Sequence, residues 1–329
     1  MKKIIVTGGA GFIGSHLTIK LLNLGYKVTV LDNFNTGKKI NLKSVEKNKN
    51  LKIVKADIRN EKKISKYFKG IDCVVHLAAI AEIVPSIENP EDYFTTNVNG
   101  TLNILKLLNK YNIKKIVYAA SSSCYGIPKK FPTNEDAIIS PEYPYALTKY
   151  MGEELITHWA KVYGINFISL RLFNVYGPKS RTSGTYGAVF GVFLAQKLAN
   201  KPFTVVGDGS QKRDFVYVDD VVNAFVKSIK SKAKNQIFNI GSDKAYSINY
   251  LVSLLKGKKI YIRKRPGEPD CTFADITKAK KILQWKPKYD LKKGVNKLLL
   301  DISHWKNAPL WNKKSINQAT KTWFKYLSK

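Results

Sequence analysis

Ile4-Ile5-Val6-Thr7-Gly8-Gly9-Ala10-Gly11-Phe12-Ile13-Gly14 reads as a short apolar strand, a glycine-rich turn and the start of a helix. The helix continues from Ser15 to Asn23 with apolar spacing at Leu17, Leu21 and Leu22. Glycines at 8, 11 and 14 let the backbone turn tightly, approach a pyrophosphate and seat the helix on the strand, with the helix N-terminus facing the phosphates. A second strand, Lys27 to Leu31, ends in Asp32, about 20 residues after the glycines. A carboxylate there accepts hydrogen bonds from the adenosine ribose hydroxyls and repels a 2′-phosphate, so the pattern predicts NAD over NADP.

Strand and helix go on alternating downstream. Leu51 to Lys55 leads into Ala56-Asp57-Ile58, which places Asp57 and Ile58 where a third strand ends beside the adenine. Ile71 to Leu77 is a buried fourth strand ending at Ala78-Ala79, small residues that let a cofactor lie close to the backbone. His76 falls inside this apolar run and reads as a core or strand-end histidine. Thr95 to Asn109 is a helix expected to carry Asn97 toward the cofactor. Ile113 to Ala120 is the fifth strand, with Ser121-Ser122-Ser123 at its carboxyl end, and Phe167 to Leu172 is the sixth. Six α/β units in succession predict an α/β fold, a Rossmann-type doubly wound parallel sheet. Ligands of such sheets bind outside the carboxyl ends of the strands, so the serines, the glycine turn and Asp32 converge on one crevice.

Tyr145 and Lys149 are four apart. If Pro144 opens a helix, both side chains share one face. A lysine ammonium at about 4 Å and an effective dielectric of about 20 contributes roughly 4 kcal/mol, which is expected to bring the phenol down toward neutrality as a base.

Composition narrows the function classes. The 329-residue chain is 44% hydrophobic and has no 18-residue apolar run, which fits a soluble globular protein with no membrane partner. Met1-Lys2-Lys3 runs directly into the first strand, so the expected location is cytoplasmic. Cys73, Cys124 and Cys271 are odd in number and widely spaced, predicting free thiols and no metal site. The net charge of +32 invites a nucleic-acid reading, but arginine occurs only at 59, 171, 181, 213, 263 and 265. The lysines are spread over the whole length, which favours a solvated surface over a nucleic-acid partner.

Taken together, these pieces resemble the extended short-chain dehydrogenase/reductase family and, within it, the nucleotide-sugar epimerases of the UDP-glucose / UDP-N-acetylglucosamine 4-epimerase type. The matching segments are Gly8 to Gly14, Asp32-Asn33, His76 to Ala79, Asn97 to Thr101, Ser121 to Gly126, Tyr145 to Lys149, Arg171 to Gly177 and Gly207 to Val218. The resemblance implies an NAD-dependent isomerase with Ser121, Tyr145 and Lys149 as its catalytic residues. It implies cofactor contacts from Gly8, Gly11, Phe12, Ile13, Gly14, Asp32, Asn33, Asp57, Ile58, Leu77, Ala78, Ala79, Asn97, Tyr145, Lys149 and Phe173. Substrate contacts are implied at Ser122, Ser123, Asn174, Arg213, Arg265 and Thr272, the two arginines on the diphosphate of a UDP-sugar, and the family also implies a homodimer. The similar 4,6-dehydratases carry Asp-Glu where this chain has Ser122-Ser123, so the elimination lacks its proton carriers here.

Thr272 matches a position beside the sugar's 2-substituent. Its small side chain leads to the expectation that UDP-N-acetylglucosamine and UDP-N-acetylgalactosamine are accepted, with UDP-glucose and UDP-galactose also in range. The competing expectations are a nucleotide-sugar 4-dehydrogenase or 4,6-dehydratase and, outside enzymes, an NAD-sensing or nucleic-acid-binding Rossmann protein. The expected division is a NAD-binding domain over 1–178, with return segments near 215–241, and a smaller interleaved α/β substrate domain over 179–329. Ser180 to Gly187 reads as a polar loop and Ala188 to Ala199 as an amphipathic helix. Val221 to Ile229 and Gln236 to Gly241 are a helix and strand returning to the first sheet. In the tail, Ser315 is the expected cap of a helix presenting Ile316, Ala319, Trp323, Phe324 and Leu327 on one face. That face is expected to pack on its own domain, the other reading being contact with a second subunit.

Overall fold

Seven parallel strands form the central sheet of the structure, a computed structural model that describes residues 2–182 and 188–328. In chain order they are β1 (Lys3–Thr7), β2 (Lys27–Asp32), β3 (Leu51–Lys55), β4 (Cys73–His76), β5 (Lys115–Ser121), β6 (Asn166–Leu172) and β7 (Gln236–Ile240). Their spatial order is β7-β6-β5-β4-β1-β2-β3. The order reverses between β1 and β4, which opens the crevice at the carboxyl edge where such sheets take ligands.

Alternate residues of each strand feed opposite layers. Ile4 and Val6 join one core cluster while Ile5 joins the other; Val117 and Ala119 face one side, Ile116, Tyr118 and Ala120 the other. Burial of both faces explains why the inner strands read as continuous apolar runs, while the edge strand β3 stays half-exposed. One layer is built on α1 (Phe12–Asn23) and Val218–Lys230, the other on α2 (Gly100–Lys110) and α3 (Pro144–Tyr163). Pro144 stands in the first turn of α3, as its fixed φ favours, and Gly164 closes the helix in the left-handed region at φ +66°.

Register carries the site residues to one line. Thr7 pairs with Leu31 and with His76, His76 with Tyr118, Ser121 with Leu172, and Leu172 with Ile240. Short strand pairs lie outside the central sheet, 203–206 with 259–262 and 212–213 with 246–247. Among the described residues no helix is long and apolar enough to cross a membrane. Burial pushes the Cys73 and Cys124 thiols up to about 12, so both stay protonated and unreactive.

Three local expectations change. The helix expected over Thr95–Asn109 is a π-helical segment, Phe94–Asn99, followed by α2. Ser315 is not a cap: Asn312 caps the helix Lys313–Ala319, and Ser315 sits three residues on, returning a hydrogen bond to the Asn312 N–H at 2.9 Å. The chain then breaks at Thr320 before a second short helix, Lys321–Leu327. Of the polar stretch 180–187, residues 183–187 lie outside the described residues.

Candidate active site

The glycine turn is shaped by contact with the β4 end. Gly8 holds φ +68°, and a Cβ on it would lie 2.8 Å from the Ala78 nitrogen. A Cβ on Gly14 would overlap the Gly8 carbonyl. Only glycine gives this approach. Gly11 caps α1 without a side-chain hydrogen bond, leaving the helix N-terminus open to the cleft. These features fit a pyrophosphate cradle. Asp32 fits the adenosine ribose: its carboxylate accepts from Ala10 N at 2.9 Å and Phe34 N at 2.8 Å, which fixes its orientation and leaves further lone pairs for hydroxyls. Burial raises its pKa, while those two N–H donors oppose the rise.

At the adenine end, Asn33 donates to Asp57 at 3.1 Å and Ile58 lines the wall. Arg59 grips Asp57 through Nε at 3.1 Å and Nη2 at 2.8 Å, and this holds the Asp57 carboxyl down at about 2.

His76 organises the loop behind. Its Nδ1 lies 2.7 Å from Thr7 Oγ1 and its Nε2 3.0 Å from Thr101 Oγ1. Thr101 donates to the Asn97 carbonyl, so these partners assign the imidazole as the neutral Nε2–H tautomer. Burial pushes it down to about 3, in keeping with the core reading. Thr7 Oγ1 accepts from the Leu77 and Ala78 N–H groups and so pins the segment leading to Ala79.

Asn97 does not line the cleft. It is 1% exposed, and its carboxamide is tied to both the N–H and carbonyl of Ile80 and to Thr148 Oγ1. It braces the β4 loop against α3 from behind the wall.

The reacting end is built from two interlocked pairs. Ser121 Oγ and Ser123 Oγ are 2.7 Å apart. Tyr143 and Tyr145 stack with their rings inclined by 9°, and both serines and both tyrosines line the same cleft. Although the Tyr145 ring is only half-buried, protein crowds its hydroxyl and raises its pKa; the nearby Ser121 hydroxyl works the other way. Lys149 is 5% exposed, and burial pushes it down to about 7 against a smaller opposing pull from Glu153. This corrects the expectation that Lys149 brings the phenol down. The two do share one face of α3, but neither counts among the causes that shift the other; burial disfavours the charged form of each.

The cleft, about 970 Å³, is lined by every residue expected at the site except Asn97 and Arg265. Phe173 is buried in its wall beside exposed Asn174, whose Oδ1 accepts from Thr272 Oγ1 at 2.8 Å. Arg213 donates to Glu268 Oε1 at 2.8 Å, and Arg265 Nε lies 3.1 Å from Glu268 Oε2. Glu268 thus joins two arginines that the sequence set apart, with Arg265 behind it instead of on the wall.

Among the wall residues that went unforeseen are Arg181, paired with Glu82 at 2.6 Å, and Tyr93, Glu268 and Trp323. Arginine's rarity in this lysine-rich chain was the available signal for Arg181. The others are brought in by packing alone.

The model of the NAD dependent epimerase/dehydratase family matches residues 4–241. A Methanocaldococcus jannaschii protein provisionally named UDP-glucose 4-epimerase is 42% identical over 306 residues, covering 90% of this chain and 97% of that one. The solved UDP-glucuronic acid 4-epimerase of Bacillus cereus, in complex with UDP-glucuronic acid and NAD, superposes with a TM-score of 0.85 at 36% identity, covering 92% of this chain and 99% of that one. A Methanobrevibacter ruminantium UDP-N-acetylglucosamine 4-epimerase, in complex with UDP-N-acetylmuramic acid, gives 0.85 at 32%, covering 91% and 98%. On the match through the whole glycine-turn sheet and the near end-to-end likeness of these relatives, the chain belongs to the NAD dependent epimerase/dehydratase family.

Proposed function

We propose that this protein is an NAD-dependent UDP-sugar 4-epimerase, an isomerase. The observation that carries the reading is the meeting of Ser121, Tyr145 and Lys149 on one cleft at the carboxyl edge of β5, with Ser122-Ser123 following where a dehydratase needs carboxylates. NAD, when bound, supplies a reversible acceptor for the C4 hydride and a positive charge that favours the ionised phenol. Tyr145 Oη takes the proton of the sugar's 4-hydroxyl and later returns it, and Ser121 Oγ holds that hydroxyl in line. Lys149 supplies the cation next to the phenol when it is protonated. Gly8, Gly11 and the α1 N-terminus hold the pyrophosphate, Asp32 the ribose, and Asp57 with Ile58 the adenine. Arg213 and Arg265 hold the UDP diphosphate, so the 4-keto sugar stays tethered while it presents its other face.

Residues 1–178, with return segments near 215–241, hold the cofactor in this reading, and 179–329 hold the nucleotide sugar. The protein works as a cytoplasmic homodimer; Leu147 and Val162, exposed on α3, support pairing of two copies. Thr272 leaves room for an N-acetyl group, so UDP-N-acetylglucosamine and UDP-N-acetylgalactosamine are the first substrates. Arg181 favours a second reading, a UDP-uronic acid, because it lines the same cleft beside Tyr93, whose ring meets Tyr145 edge-on at 6.4 Å. Incubation with a panel of UDP-sugars, following the epimer ratio by NMR and NADH by absorbance, tests the reading. Accumulating NADH without epimer would identify a dehydrogenase instead.

A further inference from the structure

The tail is the part of the chain that the sugar chemistry leaves unused, and it ends against the substrate side of the cleft. Ile316 packs with Val206 and Ile262, so the helix Lys313–Ala319 is anchored where strand 259–262 runs into the loop carrying Arg263 and Arg265. Trp323 is 5% exposed, and its Nε1 donates to the Pro266 carbonyl at 2.7 Å. The Arg265 guanidinium carbon lies 5.1 Å from the centre of the Trp323 ring, and that of Arg263 lies 4.7 Å from the centre of Phe324. On the other side, Thr322 donates to Glu88 at 2.8 Å, tying the last helix to Ile83–Glu88, whose Ile83 and Pro85 line the cleft.

A ring face holds a guanidinium by its plane and consumes none of its N–H donors. The ring face therefore fixes the orientation of Arg265, whose Nε meets the Glu268 carboxylate at 3.1 Å; an anionic diphosphate would take the same kind of contact in place of Glu268. Left unsupported, an arginine on a loop would lose its side-chain freedom at each binding event, which weakens binding.

We propose that Trp323 is a positioning residue for the diphosphate subsite, holding Arg265 by its ring face so that the C-terminal tail completes the substrate site. The proposal rests on the reading of Arg265 as a diphosphate ligand. The test is calorimetric titration of UDP into the full chain carrying NAD, comparing Arg265→Met, Trp323→Leu, Trp323→Phe and the Leu/Met double variant, each checked by thermal melting. Arg265→Met is expected to weaken UDP binding by about 20-fold and Trp323→Leu by about five- to tenfold. Trp323→Phe keeps a ring face and should stay within about threefold of the parent. The double variant should bind no more weakly than Arg265→Met alone, and Trp323→Leu should raise KM with kcat within about twofold. Independent, multiplying losses would overturn the proposal, as would UDP binding by Trp323→Leu at parental strength or by Trp323→Phe as weakly as Trp323→Leu. Parental UDP binding by Arg265→Met would remove the diphosphate role and this proposal with it, while leaving the Tyr145 chemistry untouched.

Discussion

The Lys149 ammonium sits 4.1 Å from the centre of the Tyr118 ring, and Tyr118 in turn donates its hydroxyl to the Lys149 carbonyl at 3.1 Å. The ring covers the amine on a side where water would otherwise solvate it, and burial brings its pKa from 10.5 to about 7. Between those two values the unfolded chain binds a proton that the folded chain does not, so this residue makes stability rise with pH across that window. Below about 7 the lysine is charged in both states and the burial penalty is fully felt. In protein stripped of nucleotide, the melting temperature of the parent should climb relative to Lys149→Met between pH 7 and about 9.5. A constant difference would show that Lys149 titrates normally.

Tyr145→Phe removes one oxygen from a ring held by its stack on Tyr143 and its edge contact with Tyr93. The fold and the cofactor sites at the other end of the cleft should be unchanged, so the purified variant should carry as much NAD as the parent. Turnover should fall by about 10²- to 10⁴-fold, the usual worth of a positioned proton acceptor. Epimerisation at the parental rate would assign the proton to another group.

Glu153 is 1% exposed and meets Arg171 at 2.6 Å, with Ser169 donating to its other oxygen at 2.6 Å. Arg171 reaches on to the Tyr125 hydroxyl and the Glu135 carbonyl, so a single buried pair braces the strand-turn that carries the serines. Glu153→Gln leaves the guanidinium buried without its counter-charge and should cost about 3–5 kcal/mol in chemical denaturation. It should also lower the Lys149 pKa below about 7, because Glu153 is what opposes the burial shift there.

These networks mark where sequence reasoning stops. The inner strands β1, β4, β5 and β6 were legible because both faces are buried and each appears as an apolar run, whereas the edge strand β3 is half-exposed and was read from the alternation around it. Gly8, Asp32, Ser121 and Tyr145 were legible because backbone chemistry at a strand end demands those residue types. The hold of Asn97 on Ile80 was not legible, because it is made from the π-helical turn at 94–99 and no local propensity announces such a turn. The tail helix start moved from Ser315 to Asn312 because both are good caps and only the reciprocal bond between them decides. The effect of burial on Tyr145 and Lys149 was illegible for a simpler reason: desolvation depends on what surrounds a pair, not on its spacing.

Arg181 and Thr272 separate the two substrate readings. Arg181, about one-third exposed, can leave Glu82 to form a bidentate pair with a carboxylate at the sugar's C6, whereas an N-acetyl sugar offers it no anion. Thr272 lines the cleft, and its hydroxyl is committed to Asn174, leaving its small side chain to set the room beside the 2-substituent. On the first reading, Thr272→Tyr should lower kcat/KM for UDP-N-acetylglucosamine by about tenfold or more, and Arg181→Leu should leave it within about threefold. The uronate reading inverts the pattern: UDP-glucuronic acid is turned over, and Arg181→Leu costs about 10- to 100-fold in kcat/KM. The tyrosine at 272 then matters little, because a 2-hydroxyl needs less space. Steady-state assays of both variants with both substrates decide, and because neither residue touches the transferred proton, a loss common to all substrates would place the damage in the cleft wall instead of in recognition.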